Sequence, residues 1–250
     1  MGDIRSDARP DRVFMNDARG DRPFSFDGSV AAAFEDMALR SIPGYEETVR
    51  TVCWLAAREL SPGATIYDLG ASTGTLELAL GPWLQQERVR VVAVDLSEPM
   101  VARGRARTAS SGLEELVEWR VESVEDTHVE DAALVVCNYV MQFVDPAIRG
   151  SIYRNIWEGM RPGAWLVLSE KTVERDAKVE DFFRARYDDF KRSQGYREEE
   201  IVNKRKALEG VLRPWTKEET ERALTSAGFE APWELIRWWN FVTWVARKPL

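Results

Sequence analysis

The segment Asp68-Leu69-Gly70-Ala71-Ser72-Thr73-Gly74 sets an acid near the end of a short apolar run, with glycines two and six residues later. Parallel α/β sheets hold nucleotide-like cofactors in this way, on a glycine-rich turn at the carboxyl end of a strand. Gly70 has no Cβ, so the backbone can turn tightly and approach a ligand. The spacing is D-x-G-x-x-x-G; the dinucleotide pattern G-x-G-x-x-G is absent, and so is a G-K-[ST] phosphate loop. A second acid, Asp95, ends the apolar run 89–94 and stands 21 positions after Gly74. It can accept hydrogen bonds from both hydroxyls of a ribose, or cap the helix that begins at Ser97. Asn138 and Tyr139 end a further apolar run, so they point at a reaction centre outside the strand ends, with Met141, Gln142 and Phe143 continuing that wall. Ser123 and Val124 follow a predicted strand, where an adenine edge would lie.

These residues need strands to carry them. Runs 65–69, 89–94, 117–121, 131–137 and 164–169 read as five strands, the second near-continuously apolar as a buried parallel strand should be. Helical periods cover 29–40, 46–60, 75–84, 97–108, 148–160 and 216–227, the last ended by Gly228. The two leading helices form a lid over a cofactor cleft, with Tyr45 at their junction as a cleft or packing residue. Residues 232–238 and 241–247 read as a hairpin at the sheet edge. Five of the ten tryptophans (215, 233, 238, 239 and 244) fall in this C-terminal region and suit sheet packing or a subunit contact. The stretch 172–215 is longer than a doubly wound fold requires and reads as a helical insertion. Within 184–213, nine Lys/Arg face six Asp/Glu, so this part is basic in an acidic protein. Most of these charges suit a solvated helix face. The group Lys204-Arg205-Lys206 stands out, because arginine suits a bidentate carboxylate contact.

A chain of 250 residues with no linker or internal repeat suits one domain, 1–250, with residues 1–25 expected to be flexible. No apolar run nears the roughly 20 residues of a membrane span, and the charged first 22 residues lack a signal core, so a cytoplasmic protein is expected. Cys53 and Cys137 lie in apolar segments as reduced thiols, without zinc spacing; no metal is expected. A net charge of −8 argues against direct nucleic-acid binding.

The glycine turn resembles the first motif of class I S-adenosylmethionine (SAM) enzymes, with Ser72 where a middle glycine is common. The resemblance extends to the carboxy-S-adenosylmethionine synthase family. It is carried by Phe-Glu-Asp-Met-Ala-Leu-Arg-Ser-Ile-Pro-Gly-Tyr (34–45), Tyr-Asp-Leu-Gly (67–70), Ala-Val-Asp-Leu-Ser-Glu-Pro-Met (93–100) and Val-Val-Cys-Asn-Tyr-Val-Met-Gln-Phe (135–143). It continues in Leu-Val-Leu-Ser-Glu-Lys (166–171), Asp-Ala-Lys-Val (176–179), Asp-Phe-Lys-Arg-Ser-Gln-Gly-Tyr (189–196) and Lys-Arg-Lys-Ala-Leu-Glu (204–209). The resemblance implies a class I methyltransferase (Rossmann-like) α/β fold. The sheet would be mostly parallel with an antiparallel C-terminal edge hairpin, and helices would cover both faces. It implies SAM contacts from Tyr45, Gly70, Ala71, Ser72, Asp95, Leu96, Ser123, Val124 and Asn138. Arg205 would bind the carboxylate on the sulfonium methyl, reaching in from the neighbouring subunit of a homodimer. Ser123 stands where the family has Asp, and Leu96 where it has Asn. The adenine-binding acid is thus missing or displaced to Glu122.

The family converts SAM and prephenate to carboxy-SAM and phenylpyruvate. Two other uses of the scaffold are a SAM cyclase, giving azetidine-2-carboxylate and methylthioadenosine, and a small-molecule methyltransferase; a non-catalytic SAM-binding protein is a third alternative. The sole histidine, His128, lies between strands three and four and is expected to be exposed. No N-P-P-Y motif and no Cys–His or Ser–His pair is evident. Asn138, Tyr139, Tyr187 and Tyr196 instead suit a site that orients a sulfonium by cation–π contact. They suit equally a reaction that alters SAM itself. In the carboxylating reading Arg205 stabilises a developing carboxylate. In the cyclising reading the amino group of SAM attacks its own γ-carbon, and the site need only fold the methionine chain.

Overall fold

The computed structural model describes Asp11, Val13 and residues 25–250. Seven strands form one sheet in the order β3-β2-β1-β4-β5-β7-β6. These are β1 (Thr65–Leu69), β2 (Arg90–Asp95), β3 (Val117–Val121), β4 (Ala132–Asn138), β5 (Met160–Lys171), β6 (Trp233–Trp238) and β7 (Phe241–Arg247). β1 to β5 are parallel, and β7 lies antiparallel between β5 and β6. The helices are α1 (Gly28–Ser41), α2 (Tyr45–Glu59), α3 (Thr75–Glu87), α4 (Glu98–Ser110), α5 (Arg149–Gly159), α6 (Ala177–Ser193), α7 (Glu198–Leu208) and α8 (Lys217–Ala227). The expected α/β architecture is therefore present, with the helical insertion after β5 resolved into α6 and α7.

Alternation along the strands builds two cores. Tyr67, Leu69, Val135, Cys137, Leu166, Leu168 and Trp244 face one layer, which includes Ile152 and Ile156 of α5 and Leu224 of α8. Ile66, Leu134, Val136, Val167 and Val245 face the other, with Val49 and Val52 of α2 and Leu76 and Leu80 of α3. Side chains two apart on a strand share a face. The second face therefore continues, past its apolar residues, into Asp68, Asn138, Ser169, Lys171, Thr243 and Phe241 at the edge of the sheet where β1, β4 and β5 end. Strand alternation thus collects the polar side chains of four strands in one place, beneath the lid helices.

Three boundaries differ from the sequence reading. β5 begins at Met160 and runs through Arg161-Pro162-Gly163, ahead of the expected strand 164–169, because Met160 pairs with Ala132 before a register shift. α3 continues through Pro82 to Glu87, with Leu80 and Leu84 buried on either side of the proline. α1 starts at Gly28, since the Asp27 side chain accepts from the amides of Ser29 and Val30.

Candidate active site

The glycine turn is tied to β2 by two hydrogen bonds, from the amides of Gly70 and Ala71 to the carbonyl of Val94 (2.8 and 2.9 Å). Gly70, Ser72 and Gly74 all have positive φ (84°, 53° and 82°). The Ser72 amide donates to Asp95 Oδ2 and the Ser97 amide to Asp95 Oδ1, both at 2.9 Å. Burial raises the pKa of Asp95, and these two amides pull it the other way. Asp95 is thus a fixed acceptor between the turn and α4, and each oxygen has lone-pair capacity left for a ribose hydroxyl.

The rim beside it is less uniform. Leu96 is 72% exposed and makes the outer edge. Ser123 Oγ accepts from the Glu125 amide (3.2 Å) within its own turn. Glu122 Oε2 receives the Thr127 hydroxyl at 3.4 Å, and Val124 packs against the first core. One contact was not anticipated. The Phe26 carbonyl receives the Ser97 hydroxyl (2.5 Å), and its ring stands edge-on to Phe143 with centroids 5.3 Å apart. The chain ahead of α1 therefore borders this end of the site.

At the other end, Tyr139 takes up φ +59°, uncommon for an aromatic residue, as the chain leaves β4. Its hydroxyl bonds Thr48 Oγ1 of α2 (3.3 Å), and its ring lies 6.4 Å from Tyr45. Burial pushes the Tyr139 hydroxyl up to about 12 and raises that of Tyr45 further, so both remain neutral phenols. Ser169 Oγ donates to Asn138 Oδ1 (2.8 Å) and is joined to Thr243 Oγ1 (3.0 Å), linking β4, β5 and β7. Tyr187, from α6, hydrogen-bonds the Ser41 carbonyl (2.9 Å) and packs its ring 5.0 Å from Phe241. Tyr45, Tyr139, Phe241 and Tyr187 thus form one row of rings next to Asn138, and of the four residues expected to orient a sulfonium Tyr196 is not in it.

Two acids lie under the turn. Asp68 is on β1 and Glu77 in the first turns of α3, and both are buried. Neither Glu77 carboxylate oxygen accepts from an amide, hydroxyl or cationic group. Glu77 faces the Asp68 carboxyl. Burial raises Glu77 to about 7 and lifts Asp68 well above the carboxylate range, with the Glu77 charge adding to the effect on Asp68. Both shifts favour a proton retained between the two carboxyls. Sequence reasoning missed Glu77; an acid on a helix otherwise packed by Leu76, Leu80 and Leu84 was the available signal.

Other candidates lie apart. Arg205, on α7, is half exposed and pairs with Asp188 Oδ2 of α6 (2.5 Å) rather than with Asn138 or Tyr139. Tyr196 is also drawn away from the sulfonium wall, to Ser41 Oγ (3.0 Å) and Asp11 Oδ2 (2.5 Å), because the turn after α6 packs against the end of α1. His128 is exposed in the β3–β4 connection.

The chain shares this fold with solved methyltransferases. It superposes on a putative O-methyltransferase from Nostoc punctiforme with TM-score 0.61 at 14% identity, covering 88% of this chain and 60% of that one. It superposes on magnesium protoporphyrin IX methyltransferase from Synechocystis, solved with bound SAH, with TM-score 0.59 at 14% identity over 85% and 87% of the two chains. Residues 66–163 match the model of a methyltransferase domain. The deciding likeness covers nearly the whole sequence. The carboxy-S-adenosyl-L-methionine synthase of Shewanella oneidensis is 37% identical over 241 residues, 96% of this chain and 99% of the relative. That of Desulfotalea psychrophila is 34% identical over 241 residues, 96% and 98% of the two chains. The chain belongs to this synthase family. It is a SAM-dependent transferase, and its site fits that group. A Cβ on Gly70 would lie 2.7 Å from Val140, so only glycine fits where the turn packs against that side chain. Asp95 offers acceptors for a ribose. The Glu77 carboxylate, with only the Asp68 carboxyl beside it, is suited to an ammonium.

Proposed function

We propose that the protein converts SAM and prephenate to carboxy-SAM and phenylpyruvate. The observation that carries this reading is the likeness through α6 and α7, the segment a plain methyltransferase fold does not require. Tyr187 of α6 forms part of the wall over β5. SAM supplies an activated S-methyl carbon, where the carboxyl carbon lost from prephenate is captured; the hydroxide expelled as the prephenate ring aromatises leaves as water with the methyl proton.

The chain's own residues divide this work. Asp95 holds the ribose hydroxyls, and the turn 70–74 lets the backbone approach the cofactor. Asp68 and Glu77 receive the methionine ammonium. Tyr45 and Tyr139 set neutral aromatic faces beside the sulfonium, a cation–π contact of ~1–2 kcal/mol when desolvated. Asn138 orients the groups between them. No imidazole or thiol among the described residues stands here to deprotonate a methyl acceptor, which fits a reaction on SAM itself. Arg205, half exposed, serves the site of a second subunit in a homodimer, where it would meet the new carboxylate. Mass spectrometry of SAM incubated with the protein, with and without prephenate, tests this. Carboxylated SAM formed only with prephenate supports the reading, and unchanged SAM under both conditions refutes it.

A second reading, cyclisation of SAM, draws on one observation, the proton-sharing pair Asp68–Glu77. A carboxylate raised to about 7 can take a proton from the α-ammonium. The freed amine would form a bond to Cγ as the Cγ–S bond breaks, releasing methylthioadenosine. Methylthioadenosine and azetidine-2-carboxylate appearing without prephenate would select it.

A further inference from the structure

Lys171 is the last residue of β5 and lies on the face that carries Asn138, Ser169 and Thr243. Its Nζ stands 4.8 Å from the ring centroid of Tyr187 and 5.9 Å from that of Phe241. Among the described residues it makes no ion pair and its ammonium has no hydrogen-bond acceptor. The other lysines of this region differ. Lys191 pairs with Asp188 Oδ1 at 2.9 Å, and Lys204 donates to Ser41 Oγ at 2.6 Å. The groups facing Lys171 come from α6. They are Lys191, Arg184, Glu180 and Asp188, two of each sign, and Tyr187 as a neutral ring. Burial, with Lys191 adding to it, lowers the Lys171 pKa to about 8. The two rings and the distant acids therefore leave the ammonium under-compensated.

We propose that Lys171 is the binding residue for a carboxylate of the co-substrate, beside the packed row of rings Tyr187, Phe241 and Tyr139. This deepens the functional reading above and rests on it for the name of the co-substrate. The choice of a co-substrate over the methionine carboxylate of SAM follows from placement. The glycine turn and Glu77 belong to β1 and α3. Lys171 ends β5, two strands away across β4, roughly 10 Å at the usual strand spacing. The sulfonium is itself a cation, so a second cation beside its pocket is favourable when an anion lies between them. Tyr187 and Phe241 give such an anion a ring-binding wall.

The test uses the full-length protein and the variants Lys171→Met and Lys171→Arg. In Lys171→Met the KM for prephenate should rise at least tenfold while the Kd for SAM stays within twofold, and Lys171→Arg should recover part of the loss. Calorimetry at pH 8.5 in two buffers of different ionisation enthalpy gives an independent readout. Prephenate binding to the SAH-loaded wild type should take up protons, because a carboxylate raises the Lys171 pKa, and Lys171→Met should not. Unchanged prephenate KM in a folded Lys171→Met overturns the proposal. So does a loss of SAM affinity in its place, which would assign Lys171 to the methionine carboxylate. If the wild type makes no carboxy-SAM, the functional reading falls separately, and phenylacetate binding to the SAH-loaded protein decides. Binding lost in Lys171→Met supports the carboxylate site; equal binding, or none to either protein, overturns it.

Discussion

Glu77→Gln should make the unliganded protein more stable and a poorer binder of SAM. Holding this carboxyl at about 7 rather than near 4.5 costs the folded state about 3 kcal/mol once the pH exceeds both values. The sign follows from proton counts. Between those values the native state binds more protons at Glu77 than the unfolded chain, so the contribution of this carboxyl to stability falls as pH rises through the interval and is level beyond it. Glutamine keeps the shape, carries no charge and can donate to Asp68. The variant should therefore match the wild type near pH 4 and exceed it at pH 8, by roughly 5–10 °C in Tm for a chain of this size. The same change removes a charged partner of the methionine ammonium, worth about 1.5–3 kcal/mol, so SAM should bind about 10- to 100-fold more weakly. Thermal melts from pH 4 to 8, with and without SAM, read both effects. A wild-type stability that does not fall over pH 5–7, or a variant no more stable at pH 8, would refute the shared-proton argument. Unchanged SAM affinity would remove Glu77 from the ammonium site.

Asp95→Ala deprives Ser72 and Ser97 of their amide acceptor as well as removing the ribose contact, and calorimetry should show SAM affinity reduced at least about 100-fold, two tenfold steps at 1.4 kcal/mol each. Gly70→Ala places a methyl 2.7 Å from Val140 at a φ of +84°, so it should lower both Tm and SAM affinity. Because the φ penalty remains, Val140→Ala should restore only part of the loss. Arg205→Ala should leave Tm within 2 °C or so, because its pair with Asp188 is half exposed, while carboxy-SAM formation measured by mass spectrometry drops at least tenfold; full turnover would end its proposed role.

Much of this site was legible because strands announce themselves by apolar runs and their ends by the first polar residues. Asp68, Asp95 and Asn138 each stand at or near such an end, and each falls on the cleft. Tyr187 was legible only as an aromatic within a charged insertion; folding α6 back over β5 makes it a wall. Glu77 and Lys171 were not selected. Their importance depends on what fails to surround them, and an absent partner leaves no mark on a sequence. Phe241 and Thr243 enter through β7, whose position between β5 and β6 is a long-range pairing that local pattern does not specify. Arg205 shows the opposite case, a residue singled out by type whose side chain, within one chain, turns to Asp188.

The row from Thr243 through Ser169 to Asn138 gives the pocket a direction. Ser169 spends its only proton on the Asn138 oxygen, so Thr243 must supply the proton for the next link. That orders the Asn138 amide with its oxygen toward β5 and its NH2 group free to turn to the cleft. At this end the cleft therefore presents donors, apart from the acceptors Asp95 and Glu77. A group with lone pairs suits the Asn138 end, and that preference is set by a hydroxyl on a neighbouring strand that need never touch the ligand.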